Sequence, residues 1–134
     1  ISYPNIFVMN IIVAGIHTGI GKTVCSTVLV EALQYDYWKP VQAGDLEFSD
    51  SIFVANHITN SKSVIHPEAY RLTIPASPHW AAQQDGVTIT KEQLIIPKTT
   101  NRLIIETAGG LMSPLADHFL NIDLIILLFL LCFG

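Results

Sequence analysis

Charge is scarce in this chain: Asp, Glu, Lys and Arg make up 13% of its 134 residues. Seven basic residues against eleven acidic ones leave a net charge of −4, with an isoelectric point near 5.6. Such a balance supplies no basic stripe for a nucleic-acid backbone and no polybasic patch for an anionic membrane. Cysteine is nearly absent. Cys25 and Cys132 stand far apart with no CxxC pair, which suggests neither a disulfide framework nor a zinc site and fits a reducing cytoplasm. Cys25 is expected to be a small buried apolar residue. His17, His57, His66, His79 and His118 show no metal-ligand spacing and are expected to be structural or at the surface, with His79 set apart below. The front of the chain lacks the basic and small-residue flanks of a secretory leader. Apolar residues fill the place of charge: 50% of the chain is hydrophobic and the mean hydropathy is +0.44. At this length one domain with a substantial core is expected, spanning residues 1–134.

Short apolar runs alternate with helical patterns. Ile6 to Ala14 reads as a strand buried on both faces, being nearly continuous in apolar residues and rich in Ile and Val. From Lys22 to Gln34, Val24, Val28, Leu29 and Leu33 recur at helical spacing and are expected to form a helix. Tyr35 to Val41 reads as a second strand with Pro40 near its end, and Asp45 to Asn60 holds a helix starting near Ser49 or Asp50. Residues 61–90, with Pro67, Pro75 and Pro78, read as an irregular excursion with one or two short helices. A helix over Lys91 to Ile96, stopped by Pro97, leads to a third strand from Arg102 to Glu106. The alternation predicts an α/β fold, a parallel sheet with flanking helices.

The most informative segment is Gly15-Ile16-His17-Thr18-Gly19-Ile20-Gly21-Lys22-Thr23. It follows the apolar run Ile11-Ile12-Val13-Ala14 and precedes a helix, the context of a phosphate-binding loop. Gly19 and Gly21 let successive N–H groups turn onto phosphate oxygens, and the following helix aims its positive end at the same place. Lys22 would reach the β- and γ-phosphates and the Thr23 hydroxyl a Mg²⁺ ion. The first glycine stands one residue earlier than the strict pattern asks, with Ile16 in its place.

Ligands of open parallel sheets bind beyond the carboxyl ends of the strands. The glycine loop, Lys39 and Glu106 all fall at such ends, so one site built from three strand termini is expected. Mg²⁺ carried by a nucleotide needs a hydroxyl and one or two carboxylates, which Thr23, Asp50 and Glu106 supply. Asp50 could instead cap the following helix, and Glu106 could face water. Lys39 beside Lys22 would stabilise charge building on a transferring phosphoryl group.

Together these motifs resemble dethiobiotin synthetase. The loop Gly15-x-x-Thr18-x-x-Gly21-Lys22-Thr23 has that family's longer spacing, and Lys39-Pro40-Val41-Gln42-Ala43-Gly44 is similar to its second motif. Ser49-Asp50 resembles its acidic metal and nucleotide position. Pro75-Ala76-Ser77-Pro78-His79 with Gln84-Asp85-Gly86 looks like its substrate-side segment, and Glu106-Thr107-Ala108-Gly109-Gly110 like its Glu-Gly-Ala-Gly-Gly block. The resemblance covers residues 9–123 and implies a P-loop nucleoside triphosphate hydrolase fold and a cytoplasmic, homodimeric ligase using Mg²⁺ and ATP. Its implied partners are 7,8-diaminononanoate and CO₂ or bicarbonate, with neither nucleic acid nor membrane involved. By matching position, Lys39 and Lys22 would be catalytic. Gly19, Ile20, Gly21, Lys22, Thr23 and Val24, together with Asp50, Glu106, Thr107, Ala108 and Gly109, would bind ATP. Thr18, Lys39, Ala43, Ser77, Pro78 and Gly110 would face the diamine, and Thr23, Asp50 and Glu106 the metal. Three departures from the family stand out. Ala43 replaces a serine of some members, Thr107 a glycine, and His17 a small polar residue.

Residues 1–8 and 124–134 depart from the family pattern. Leu124 to Phe133 is an uninterrupted apolar run of ten residues, too short for a membrane span. It is expected to reflect a frameshifted or prematurely ended reading of the family's sequence. Such an end would leave the fold incomplete at its C-terminus and one sheet face uncovered. The chain itself would then be inactive and prone to aggregate. The rival readings are a switch ATPase of the partition and septum-site type, an amidotransferase-type synthetase of cobalamin metabolism, and an inactive remnant. The first would carry a second lysine where His17 stands, and the second needs a glutaminase domain for which there is no room.

Overall fold

The computed structural model describes residues 9–133; residues 1–8, with the first part of the strand expected from Ile6, lie outside them. A parallel sheet holds β1 (Ile11–Val13), β2 (Asp36–Trp38), β4 (Ile65–His66) and β6 (Leu103–Glu106) in the spatial order β1-β6-β2-β4. Ile11 pairs with Ile104 and Val13 with Glu106, while Tyr37 pairs with Ile104 on the other side. Strand pleating therefore sends Tyr37, Ile104 and Glu106 to one face, and Trp38, Leu103 and Ile105 to the other. On the first face, α1 (Lys22–Leu33) and α2 (Asp50–His57) pack Val30 and Val54 against Val13, Tyr37 and Ile104. On the second, α3 (Pro78–Gln84) and α4 (Asn121–Phe133) bring Ala81, Ala82, Leu124 and Leu128 onto Trp38, Leu103 and Ile105. Both faces are thus covered, as parallel sheets require, and the expectation of an uncovered face is corrected. The apolar run 124–133 is helical, with Leu124 and Leu128 buried one turn apart and Ile126, Phe129, Leu130 and Leu131 exposed.

The structure departs from the expected elements at several places, each for a physical reason. The single strand expected over Tyr35–Val41 is divided at Lys39-Pro40 into β2 and β3 (Val41–Ala43), which lie in different sheets. Pro40 has no N–H to continue a ladder, and its carbonyl accepts from the Ala69 and Tyr70 amides instead. β3 then pairs in parallel with β5 (Tyr70–Leu72). Two strands, β4 and β5, stand in the stretch that reads as irregular; at two and three residues neither is long enough to show a period. The helix expected over Lys91–Ile96 is only a 3-10 turn, Lys91–Gln93. Ile96 precedes Pro97, and the residue before a proline is pushed out of the helical region. Residues 114–120 form an antiparallel pair, β7 (Pro114–Ala116) and β8 (Phe119–Leu120).

α1 turns part of its apolar set outward. Val24 and Val28 are 58% and 61% exposed, whereas Ser26, Thr27 and Val30 are buried; Cys25 is exposed as well. Lys22 and Thr23 must look into the loop they follow, and residues one turn on from them, 26 and 27, inherit the sheet side. Thr27 tolerates this by donating its hydroxyl to the Thr23 carbonyl at 2.7 Å.

At the opposite end of the sheet from the glycine loop, buried Asp36 accepts from the Val64 amide, Thr99 Oγ1 and Asn101 Nδ2 and lies 2.8 Å from His66 Nε2. Burial opposes its ionisation, yet these bonds win and hold its carboxyl below the ordinary range. Glu31 performs a similar task between α1 and the loop that follows α2. Its carboxylate accepts four bonds from the amides and side chains of Thr59 and Asn60, 2.6–3.2 Å long, the Thr59 hydroxyl foremost in lowering its pKa to about 2. A carboxyl depressed on folding stabilises the native state above its unfolded pKa, and that contribution is lost as pH falls through the folded value. Glu31→Gln should therefore lower the melting temperature at pH 7, and the deficit should shrink between about pH 4.5 and pH 2. Melting curves across that window check it; a deficit constant with pH would refute it.

Candidate functional site

β1 ends at Val13 and releases the chain into a loop that closes at Gly21, whose φ of 99° lies in the left-handed region. A side chain there would be strained. Gly21 occupies the N-cap of α1 without any side-chain bond to the first turn, so those N–H groups remain available to an anion. The loop is braced by the segment that follows β6: Leu111 N–H donates to the Gly15 carbonyl at 2.7 Å, and a Cβ on Gly110 would run into the Ile16 carbonyl. Lys22 begins α1, and its Nζ donates to the His17 carbonyl at 3.2 Å. Burial, only partly offset by Glu106, holds its ammonium below the usual lysine range. An incoming phosphate would supply the missing counter-charge.

β2 and β6 deliver the other half. Lys39 follows directly on β2, is buried, and pairs through Nζ with Asp50 Oδ2 while standing 4.0 Å from Glu106 Oε1. Glu106, the last residue of β6, is 1% exposed, so it is not a carboxylate facing water. Its Oε1 accepts from Thr23 Oγ1 at 2.7 Å and its Oε2 from the Tyr37 hydroxyl at 2.9 Å. Burial first, and then the neighbouring Glu106 charge, push the Tyr37 phenol well above its ordinary value, so Tyr37 stays a donor. Asp50 is the first residue of α2, but the cap is Ser49, whose Oγ accepts from the Ile52 amide at 3.3 Å. That frees the Asp50 carboxylate for the cleft. Gln42 steadies the same turn, accepting from the Asp50 amide at 3.4 Å and donating to the Gly44 carbonyl at 2.9 Å.

The result is a cleft of about 340 Å³ lined by Thr18, Gly19, Gly21, Lys22, Thr23, Val24, Lys39, Asp50, Glu106 and Gly109. Among the described residues no three His, Cys, Asp or Glu side chains gather as a metal cage. A cation here would rest on two carboxylates and one hydroxyl, the all-oxygen set that suits Mg²⁺ completed by ligand oxygens and water. Thr23 donates to Glu106 Oε1 at 2.7 Å, and Lys39 Nζ pairs with Asp50 while standing 4.0 Å from that same oxygen. The hydroxyl and both carboxylates line one cleft, and their chemistry fits that metal.

The remaining sequence-derived residues do not line this cleft. Ile20 is 44% exposed. Ala43 is half-buried in β3, and the next residue, Gly44, abuts Pro75 closely enough that a Cβ would stand 2.5 Å from Pro75 Cα. This contact ties the Lys39–Gly44 segment to Ser77 and Pro78, the N-cap and first residue of α3. Thr107 is buried, its amide donating to the Val13 carbonyl at 3.1 Å. The carbonyls of Ala108 and Gly110 both accept from Asn121 Nδ2, at 2.5 and 2.8 Å. His79 lies 3.3 Å from Asp117. Tyr37, Gln42 and Asn121 escape sequence reading because each acts through partners that no local pattern announces.

The sequence from residue 9 to residue 130 matches the family model described as an AAA domain. The chain belongs to this family. The curated relatives it matches include proteins named ATP-dependent dethiobiotin synthetase. It is 52% identical over 113 residues to that of Chlamydia pneumoniae, 50% over 113 to that of Rhodopseudomonas palustris, and 53% over 114 to that of Brucella ovis. The matches cover 84–85% of this chain and 50–54% of the relatives, so the chain spans about half their length. Among the described residues no helix of this AAA domain is long and apolar enough to cross a membrane.

Proposed function

We propose that this chain carries the nucleotide site and the catalytic lysines of an ATP- and Mg²⁺-dependent ligase that closes the ureido ring of dethiobiotin in biotin synthesis. One observation carries the reading: two buried lysines, Lys22 and Lys39, and two carboxylates, Asp50 and Glu106, from four separate segments, share one cleft at the strand ends. The half-identical relatives named dethiobiotin synthetase support the substrate assignment.

In this reaction one amine of 7,8-diaminononanoate adds to CO₂ and loses a proton, forming a carbamate. A carbamate oxygen attacks the γ-phosphorus of ATP, ADP leaves, and a carbamic–phosphoric anhydride results. The second amine attacks the carbonyl carbon; phosphate departs with the C–O electron pair, a proton is released, and the ring is closed. Two anions, carbamate and γ-phosphate, must meet. Lys22 binds the β- and γ-phosphate oxygens with the loop amides, and Lys39 faces the transferring group, where it neutralises charge that grows in the transition state. Thr23, Asp50 and Glu106 would hold Mg²⁺, which supplies further charge neutralisation on the phosphates. Ile20 and Val24 flank the phosphates, with Thr107, Ala108 and Gly109 beside the nucleotide. Thr18, Ala43, Ser77, Pro78 and Gly110 sit on the diamine side. A cytoplasmic homodimer is the working form under this reading.

With diaminononanoate, bicarbonate, Mg²⁺ and ATP, a full-length version carrying this sequence should form dethiobiotin, ADP and phosphate in equal amounts. ATP hydrolysis that ignores the diamine and responds to DNA or a partner protein would overturn the assignment in favour of a switch ATPase.

A further inference from the structure

We infer that Tyr37 is a positioning residue for the metal-binding carboxylate Glu106, acting from the core rather than from the cleft. The inference rests on the functional reading above and adds to it a residue that lines no part of the pocket. Tyr37 is fully buried and does not open onto solvent. Its ring belongs to the cluster of Val13, Val30, Val54 and Ile104 under α1 and α2, so packing fixes the ring before any ligand arrives. The single polar atom of that ring lands 2.9 Å from Glu106 Oε2.

The consequence for Glu106 follows from geometry. A carboxylate at a strand end can rotate about its last torsion and offer either oxygen, or both, to a cation. Here Oε2 is occupied from the core side by Tyr37 and Oε1 is directed to Thr23, 2.7 Å away, with the Lys39 ammonium 4.0 Å off. Tyr37 thereby leaves one oxygen for the cleft and presents it beside the Thr23 hydroxyl, the other oxygen donor of the set. It also satisfies an oxygen that would otherwise be buried without a partner, in a residue that is 1% exposed. Hydrogen-bond partners behind a ligating side chain typically change metal affinity about 10–100-fold when removed.

The test is Tyr37→Phe, which keeps the ring and its packing and removes only the hydroxyl. Mn²⁺ binding is followed by electron paramagnetic resonance in the presence of ADP, and ADP binding without metal is measured separately. Mn²⁺ affinity should fall about 10-fold or more while metal-free ADP affinity is unchanged. In a Glu106→Gln background the same substitution should cause no further loss, because the oxygen charge it orients is already gone. Mn²⁺ affinity equal to that of the unaltered chain, or equal losses in both backgrounds, would overturn the role of Tyr37 and leave the ligase reading standing. If the unaltered chain binds neither ADP nor Mn²⁺·ADP, the ligase reading fails and this inference with it.

Discussion

Lys22→Ala should reduce phosphoryl transfer by about 10³-fold or more, the scale on which a preorganised cation or donor at a transferring group is worth its presence. Lys22 is the residue of the glycine loop whose charge reaches the cleft, and it is buried with the His17 carbonyl as its hydrogen-bond acceptor. Burial already holds its ammonium below the usual lysine range. The free protein therefore stabilises this charge poorly, and the phosphates of a bound nucleotide stabilise it well. Truncation should consequently cost catalysis and ATP affinity but not the fold, since the lost group was a desolvated cation rather than a packing element. Steady-state kinetics alongside a melting curve separate the two. Turnover unchanged in Lys22→Ala would remove the loop from the active site altogether.

Lys39→Gln should lower kcat by about 10²–10³-fold with much less effect on ATP binding, because Lys39 is placed to meet charge that develops in the transition state. Its second effect is on stability. Lys39 sits between Asp50 and Glu106, and an amide in its place leaves two carboxylates facing each other without a cation. Losing one member of a fully buried pair costs about 3–5 kcal/mol. The Asp50 side chain is 32% exposed, so solvent screening reduces the expected loss to about 1 kcal/mol. A divalent cation should restore that loss in the variant more than it stabilises the unaltered protein. Melting in EDTA and in Mg²⁺, with kcat and KM measured in parallel, tests both effects. A variant with normal kcat and raised KM would make Lys39 a ground-state binding residue instead.

The apolar run 124–133 is helical rather than extended, with Ile126, Phe129, Leu130 and Leu131 exposed on α4. Its buried pair, Leu124 and Leu128, has a period of four, which an unbroken run of ten apolar residues cannot reveal. Where every position is apolar, the hydrophobic pattern does not select a face, and packing against Trp38, Leu103 and Ile105 selects it.

What the sequence determined by itself was the local chemistry. Glycines at positions 19 and 21, a lysine and a threonine opening α1, and an apolar strand in front of them are the local pattern of a phosphate loop. Gly21 adopts the positive φ that this requires. The α/β alternation likewise placed Lys39 and Glu106 at strand ends, because strand length and direction are written in short apolar runs. The tertiary structure decided everything that depends on distant partners. Thr23 meets Glu106 across 83 residues of sequence and Tyr37 across 69. Sheet register sends Tyr37 and Glu106 to the same face. The Lys39-Pro40 step divides one expected strand between two sheets, as proline leaves the ladder and its carbonyl finds Ala69 and Tyr70. α1 turns Val24 and Val28 outward because Lys22 and Thr23 claim the inner face. Local spacing identifies the groups that can do chemistry, but register and packing choose which of them share a cleft, since the deciding contacts form between segments that no sequence window contains.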